Sequence, residues 1–319
     1  MNAPVPTVTK ASVEAVTAAH AAFAHHAKSF RLAANFLPAE NIDDIAVLYH
    51  FCRLVDDAVD EAPSKDIATR NIKTLKAQVT GESTPTTEHQ AFIKVQRRHQ
   101  LPQHAIFALM EGCESDLDTV LVKDRHELAK YCYNVAGAVG ELMCPLLGVS
   151  NPEATPYAID LGLGMQITNI CRDVLEDAER GRVYIPQTWL VQQNLTHQSI
   201  LSQRVSTQQI APVIEQMLET AEACYRRAYI GCRYIPFRSR LGILIARRVY
   251  RAIGLKLKHK HQANPFHGRT MLSKWEKIWQ VGLGFLDALN PVTLGWWKPQ
   301  IPDSSLYDDW RELLPNEHK

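Results

Sequence analysis

The segment Tyr49-His-Phe-Cys-Arg-Leu-Val-Asp-Asp-Ala-Val-Asp60 sets Tyr49, Arg53, Asp56 and Asp60 at steps of four, three and four. In an α-helix that spacing brings all four side chains to one face. Two carboxylates one turn apart, with no lysine between them, repel each other unless something positive sits above them. A divalent cation fits that need.

A second stripe lies at Gln166-Ile-Thr-Asn-Ile-Cys-Arg-Asp-Val-Leu-Glu-Asp177, where Gln166, Asn169, Asp173 and Asp177 advance by three, four and four. Leu161, Leu163, Met165, Ile167, Ile170 and Val174 make the same segment apolar enough for a core helix, so its polar stripe is expected to face an internal cleft. Two oxygen-rich helical faces suit magnesium, with manganese as the substitute: a hard cation takes one or two carboxylates and fills its other positions with water or phosphate oxygens. Arg53 and Arg172 stand beside the acidic pairs, where a guanidinium holds phosphate oxygens bidentately. The implied ligand is a diphosphate, which metal and arginine together stabilise as a leaving group. Either pair alone reads equally well as a solvated acidic face, but two stripes with matching arginines and apolar flanks weigh against that. Neither stripe has the glycine of a calcium loop, and neither includes the histidine or cysteine that zinc prefers.

The 319 residues are 46% hydrophobic, enough to bury a large core, and 35 basic residues balance 34 acidic ones, so no global field points to nucleic acid. The seven cysteines show no metal-finger spacing and read as free thiols in a reducing compartment. With no signal-peptide pattern and no long apolar run, the expected location is cytoplasmic, with peripheral association on the inner face of the membrane allowed.

Helical periodicity dominates and strand patterns are nearly absent. Helices are expected near 12–27, 41–60, 65–78, 87–99, 103–117, 125–147, 154–179, 205–234, 237–260 and 271–289, separated by breaks at Pro38, Gly81 to Thr87, Pro102, Asn151-Pro152 and Pro186. No break is long enough for an interdomain linker, so residues 1–319 read as one all-α domain with a core over about 12–289 and an extended Trp/Pro-rich tail over 290–319. The apolar run from Ile278 to Leu289, with Trp296-Trp297, reads as core packing, with a membrane-interface patch as the alternative. The basic stretch Arg247-Arg-Val-Tyr-Arg251 with Lys256, Lys258 and Lys260 reads as a solvated helix face.

Cys52-Arg-Leu-Val-Asp-Asp-Ala-Val-Asp-Glu61 and Gln166-Ile-Thr-Asn-Ile-Cys-Arg-Asp-Val-Leu-Glu-Asp-Ala-Glu-Arg-Gly-Arg-Val-Tyr-Ile-Pro186 resemble the signatures of the squalene/phytoene synthase family. His26-Ala-Lys-Ser-Phe30 is similar to the family's N-terminal substrate-binding segment, and Tyr131-Cys-Tyr-Asn-Val-Ala-Gly-Ala-Val-Gly-Glu141 to its central helix. The resemblance runs from about His25 to Tyr250. It implies a class I isoprenoid-synthase bundle with a central cavity and a magnesium-dependent head-to-head condensation of two prenyl diphosphates. Within it Asp56, Asp60, Asp173 and Asp177 are the expected metal ligands, with Arg53 and Tyr49 beside them in catalysis. Substrate contacts are expected from His26, Ser29, Phe30, Tyr131, Val135, Gln166, Asn169, Arg172 and Tyr250. Small residues of the central helix, Val135, Ala136, Val139 and Gly140, with Met143, would line the cavity; periodicity alone favours ordinary tight packing there instead.

Ala34 and Ala46 resemble pocket-floor positions where C15-specific relatives are bulky, which favours two C20 geranylgeranyl chains and phytoene, by way of prephytoene diphosphate. The C15 alternative gives presqualene diphosphate, dehydrosqualene or squalene. NADPH is not expected, while an upstream prenyl diphosphate synthase and a downstream desaturase are candidate partners. A noncatalytic assembly or binding protein of the same family would carry degraded aspartate motifs, whereas all four aspartates are present. A terpene cyclase would carry an Asn/Ser/Glu motif where this chain has its second aspartate pair.

Overall fold

Proline and short polar caps punctuate the helical periodicity, and the chain folds accordingly. The computed structural model describes His20 and residues 35–297, 299–300 and 307–311. Its helices are α1 (Ala39–Asp60), α2 (Lys65–Thr80), α3 (Thr87–His99), α4 (Gln103–Ser115), α5 (Arg125–Cys132), α6 (Ala138–Leu146), α7 (Thr155–Glu179), α8 (Gln187–Val191), α9 (His197–Leu201), α10 (Thr207–Gly231), α11 (Phe237–Lys260), α12 (Lys274–Ala288) and α13 (Tyr307–Arg311). Ser64, Thr86 and Asp124 cap α2, α3 and α5 by accepting from the backbone N–H three residues on. Ser273 and Glu276 form a capping box at α12. Gly81, at φ 85°, ends α2 in the left-handed conformation that glycine adopts without penalty.

α7 runs through the centre, packed against α6, α10 and α11. Ile159, Leu163, Ile167 and Cys171 are buried along it, and one apolar cluster extends from Ile45 on α1 to Trp310 on α13. Extended pairing among the described residues is limited to one bridge, between Leu121 and Val183.

Several expectations change. The helix expected over 125–147 is interrupted by a π-helical segment, Tyr133–Gly137, between α5 and α6. Periodicity did not predict α8 and α9, which are too short to show a repeat. The run from Ile278 to Leu289 does not pack wholly into the core: Ile278, Phe285, Leu286 and Leu289 are exposed, as are Trp296 and Trp297. The tail is not extended throughout, because α13 buries Trp310 completely. The helix expected over 12–27 lies, apart from His20, outside the described residues.

Candidate active site

α1 and α7 carry both predicted stripes to one end of an apolar cavity of about 290 Å³. Tyr49 and Cys52 of α1, Val135 and Ala136 of the π segment, Val139, Gly140 and Met143 of α6, Gln166 and Asn169 of α7, and Tyr250 of α11 all line it. Asp56 follows Cys52 by one helical turn and Asp173 follows Asn169 by one turn, so the carboxylates continue the wall beyond its last polar residues. Tight packing and cavity lining coexist in the central helix. A Cβ at Gly140 would come within 2.3 Å of the Ala158 carbonyl oxygen, although Gly140 also faces the cavity.

Arginines hold the acidic end together. Arg53 donates to Asp56 Oδ2 at 2.8 Å and pairs with Asp57 at 2.5 Å. Arg172 grips Asp173 through Nε, 2.7 Å from Oδ1, and through Nη2 to Oδ2. Arg269 adds contacts to Asp173 at 3.1 Å and Glu176 at 3.5 Å. Arg182 is the cross-link: its Nη2 donates to Asp60 Oδ1 at 3.1 Å and to the Asp116 carbonyl at 3.2 Å.

Burial sets the electrostatics. It raises the Asp56 carboxyl against the pull of Arg53, and Asp60 adds to the rise. Burial, reinforced by Asp173, pushes Asp177 up to about 7. Asp116 is pushed up to about 6, again by burial, although Arg182 and two tyrosine hydroxyls favour its charged form. Burial also carries the Tyr49 phenol to about 12.

These donors fit a hard divalent cation. Carboxylates one turn apart lie on each helix, Asn169 Oδ1 is buried without a hydrogen-bond partner, and the strained ionisation of Asp56 and Asp177 is what a cation relieves. Among the described residues no three His, Cys, Asp or Glu side chains converge as a ready cage.

Of the predicted substrate contacts, Val135, Gln166, Asn169 and Tyr250 are on the wall, and Arg172 sits on Asp173. Tyr131 is not on the wall: its hydroxyl donates to Asp116 Oδ2 at 3.2 Å and its ring stacks on Tyr184 at 4.4 Å. Ala46 also misses it. Ile45, Leu48, Tyr49 and Cys52 form the inward face of α1, and Ala46, 1% exposed, is rotated about 100° from Ile45 into the core. His26, Ser29, Phe30 and Ala34 lie outside the described residues.

Asp116, Arg182, Tyr184 and Arg269 were not singled out from the sequence. Tyr184 donates to Asp116 Oδ1 at 2.9 Å. A local signal did exist, in Arg180-Gly-Arg182 directly after an acidic helix. Gly181, at φ 76°, turns the chain there and lets Arg182 come back over the site.

A family model described as squalene/phytoene synthase matches residues 23–276. The chain is 36% identical over 264 residues to the phytoene synthase of Rhodobacter capsulatus, covering 82% of this chain and 78% of that protein. It is 34% identical over 271 residues to the 15-cis-phytoene synthase of a Paracoccus species, covering 82% and 87%. A solved dehydrosqualene synthase shares the fold at TM-score 0.78 and 24% identity, covering 86% of this chain and 96% of that one. A squalene synthase from Alicyclobacillus acidocaldarius does so at TM-score 0.71 and 22% identity, covering 79% and 96%. This chain is a prenyltransferase, and it belongs to the squalene/phytoene synthase family.

Proposed function

We propose that the chain joins two geranylgeranyl diphosphates head to head, giving phytoene by way of prephytoene diphosphate, with magnesium as its metal and manganese as the substitute. The observation that carries this reading is an apolar cavity whose wall continues along α1 and α7 into two arginine-bound acidic stripes. Hydrocarbon chains match the wall and diphosphates match the acidic end. The relatives named phytoene synthase support the C20 choice. One observation favours the C15 alternative: Ile45 and Leu48, both bulky, stand on the wall where Ala46 does not.

Bound magnesium would supply the positive charge that makes diphosphate a good leaving group. Asp56, Asp60, Asp173 and Asp177 would hold it, and Arg53 and Arg172, now closed on aspartates, would then be able to turn to phosphate oxygens. Tyr49, with its phenol near 12, stays protonated and can donate a hydrogen bond but cannot act as a base at neutral pH. The apolar wall excludes the water that would otherwise capture a carbocation.

The first allylic diphosphate departs, the double bond of the second molecule captures C1, and loss of a proton gives the cyclopropylcarbinyl diphosphate. The second diphosphate then leaves, the cation rearranges, and loss of a second proton yields phytoene. No hydride enters, so the scheme needs no NADPH.

The test is to incubate the purified protein with magnesium and either farnesyl or geranylgeranyl diphosphate, with and without NADPH, and to identify the hydrocarbon. Phytoene from the C20 substrate, independent of NADPH, is expected. Exclusive turnover of farnesyl diphosphate would overturn the C20 assignment.

A further inference from the structure

Helix α12 presents an apolar face that no element among the described residues covers. Trp275, Ile278, Trp279, Leu286 and the C-cap Leu289 share one side of it and are 58% to 80% exposed, with Gly282 in open space between them. The opposite side is firmly seated on α11. Gly284 lies so close that a Cβ there would come within 2.7 Å of Ile245, and Arg248 grips Asp287 through two hydrogen bonds. Phe237, Trp296 and Trp297 are exposed as well, and Arg233 donates to the Trp297 carbonyl at 2.9 Å.

The charge around this face is one-sided. Residues 237–289 carry eleven Lys/Arg against two Asp/Glu, a net of +9 in a chain whose total is +1. Both acids are neutralised from α11, Glu276 by Lys256 and Lys260 and Asp287 by Arg248. Arg251, Lys258 and Arg269 are likewise engaged, by Glu222, Glu219 and Asp173. Lys274, Lys277 and Arg238 have no ion-pair partner among the described residues. Four exposed tryptophans with an unneutralised basic rim match the boundary between headgroups and acyl chains of an anionic bilayer. A second copy meeting this face about a twofold axis would set lysines against lysines.

We propose that this face, with Phe237 and the Trp296-Trp297 turn, docks on the anionic surface of a phospholipid bilayer. The Arg233 bond joins that turn to the residues just before Ile235, which lines the cavity, so docking brings one cavity wall next to lipid. The inference does not rest on the condensation chemistry, because lipid binding is read without turnover.

The test is flotation of the full chain with vesicles of phosphatidylcholine plus phosphatidylglycerol, and with vesicles of phosphatidylcholine alone. Binding to the mixed vesicles, roughly tenfold tighter than to neutral ones and weakened by salt, is expected, with a blue shift of tryptophan emission. The double substitution Trp275→Ser/Trp279→Ser should abolish binding while helical content, melting temperature and activity on detergent-dispersed substrate persist. Lys274→Gln/Lys277→Gln should remove only the preference for anionic lipid. Three results would each overturn the proposal: no binding of the unaltered chain to mixed vesicles, unchanged binding by the tryptophan variant, or a lipid-free dimer that this variant turns into monomer.

Discussion

Asp177 links the acidic site to pH. Burial and the neighbouring Asp173 raise its carboxyl from 3.8 to about 7, so the folded chain holds a proton there that the unfolded chain has released. Its favourable linkage is present in acid and is lost as pH rises from the unfolded value through 7. Asp177→Asn removes that loss. Its melting curve should match the parent at pH 4 and show a gain of roughly 1–3 kcal/mol at pH 8. Differential scanning calorimetry across that range checks it, and a constant difference would contradict the burial argument. Magnesium should raise the melting temperature of the parent more at pH 8 than at pH 5, because only the ionised carboxylate needs the cation.

At the scale of elements, the contact between α7 and the π segment decides whether the cavity exists in its present form. A Cβ at Gly162 would lie 2.3 Å from the Ala136 carbonyl oxygen and 2.9 Å from Gly137 Cα, both backbone atoms that cannot rotate away. Ala136 lines the cavity, so a shift there moves the wall. Gly162→Ala should cost about 1–3 kcal/mol by thermal denaturation and reduce turnover more than it reduces helicity. The long helices were legible because their apolar residues repeat over several turns; α3 and α11 begin and end where the periodicity places them. The π segment has no such signature, since its extra residue per turn is set by contact with α7. The acidic stripes were legible for the same reason as the helices. Asp116 and Tyr184 were not, because they meet only through the pairing of Leu121 with Val183.

At the scale of the whole molecule, the C-terminal segment closes back on the centre of the fold. Trp310, fully buried, donates from Nε1 to Asp160 Oδ1 at 3.3 Å, while Arg227 Nε donates to Asp160 Oδ2 at 2.7 Å. The tail read as extended because its anchor is 150 residues away and leaves no local pattern. Trp310→Ala should cost about 3–5 kcal/mol, through lost burial and a weakened hold on a buried carboxylate, and chemical denaturation measures it directly. The exposed face of α12 departs from the expected core packing for a related reason: an apolar stripe announces that it will be covered, but not by what. The central claim, that stripes on two separate helices act as one diphosphate clamp, is tested by measuring magnesium-dependent diphosphate release from geranylgeranyl diphosphate by Asp56→Asn and Asp173→Asn, with circular dichroism as the control. Either substitution is expected to abolish release while helical content stays intact, and unchanged release by both variants would rule out the clamp.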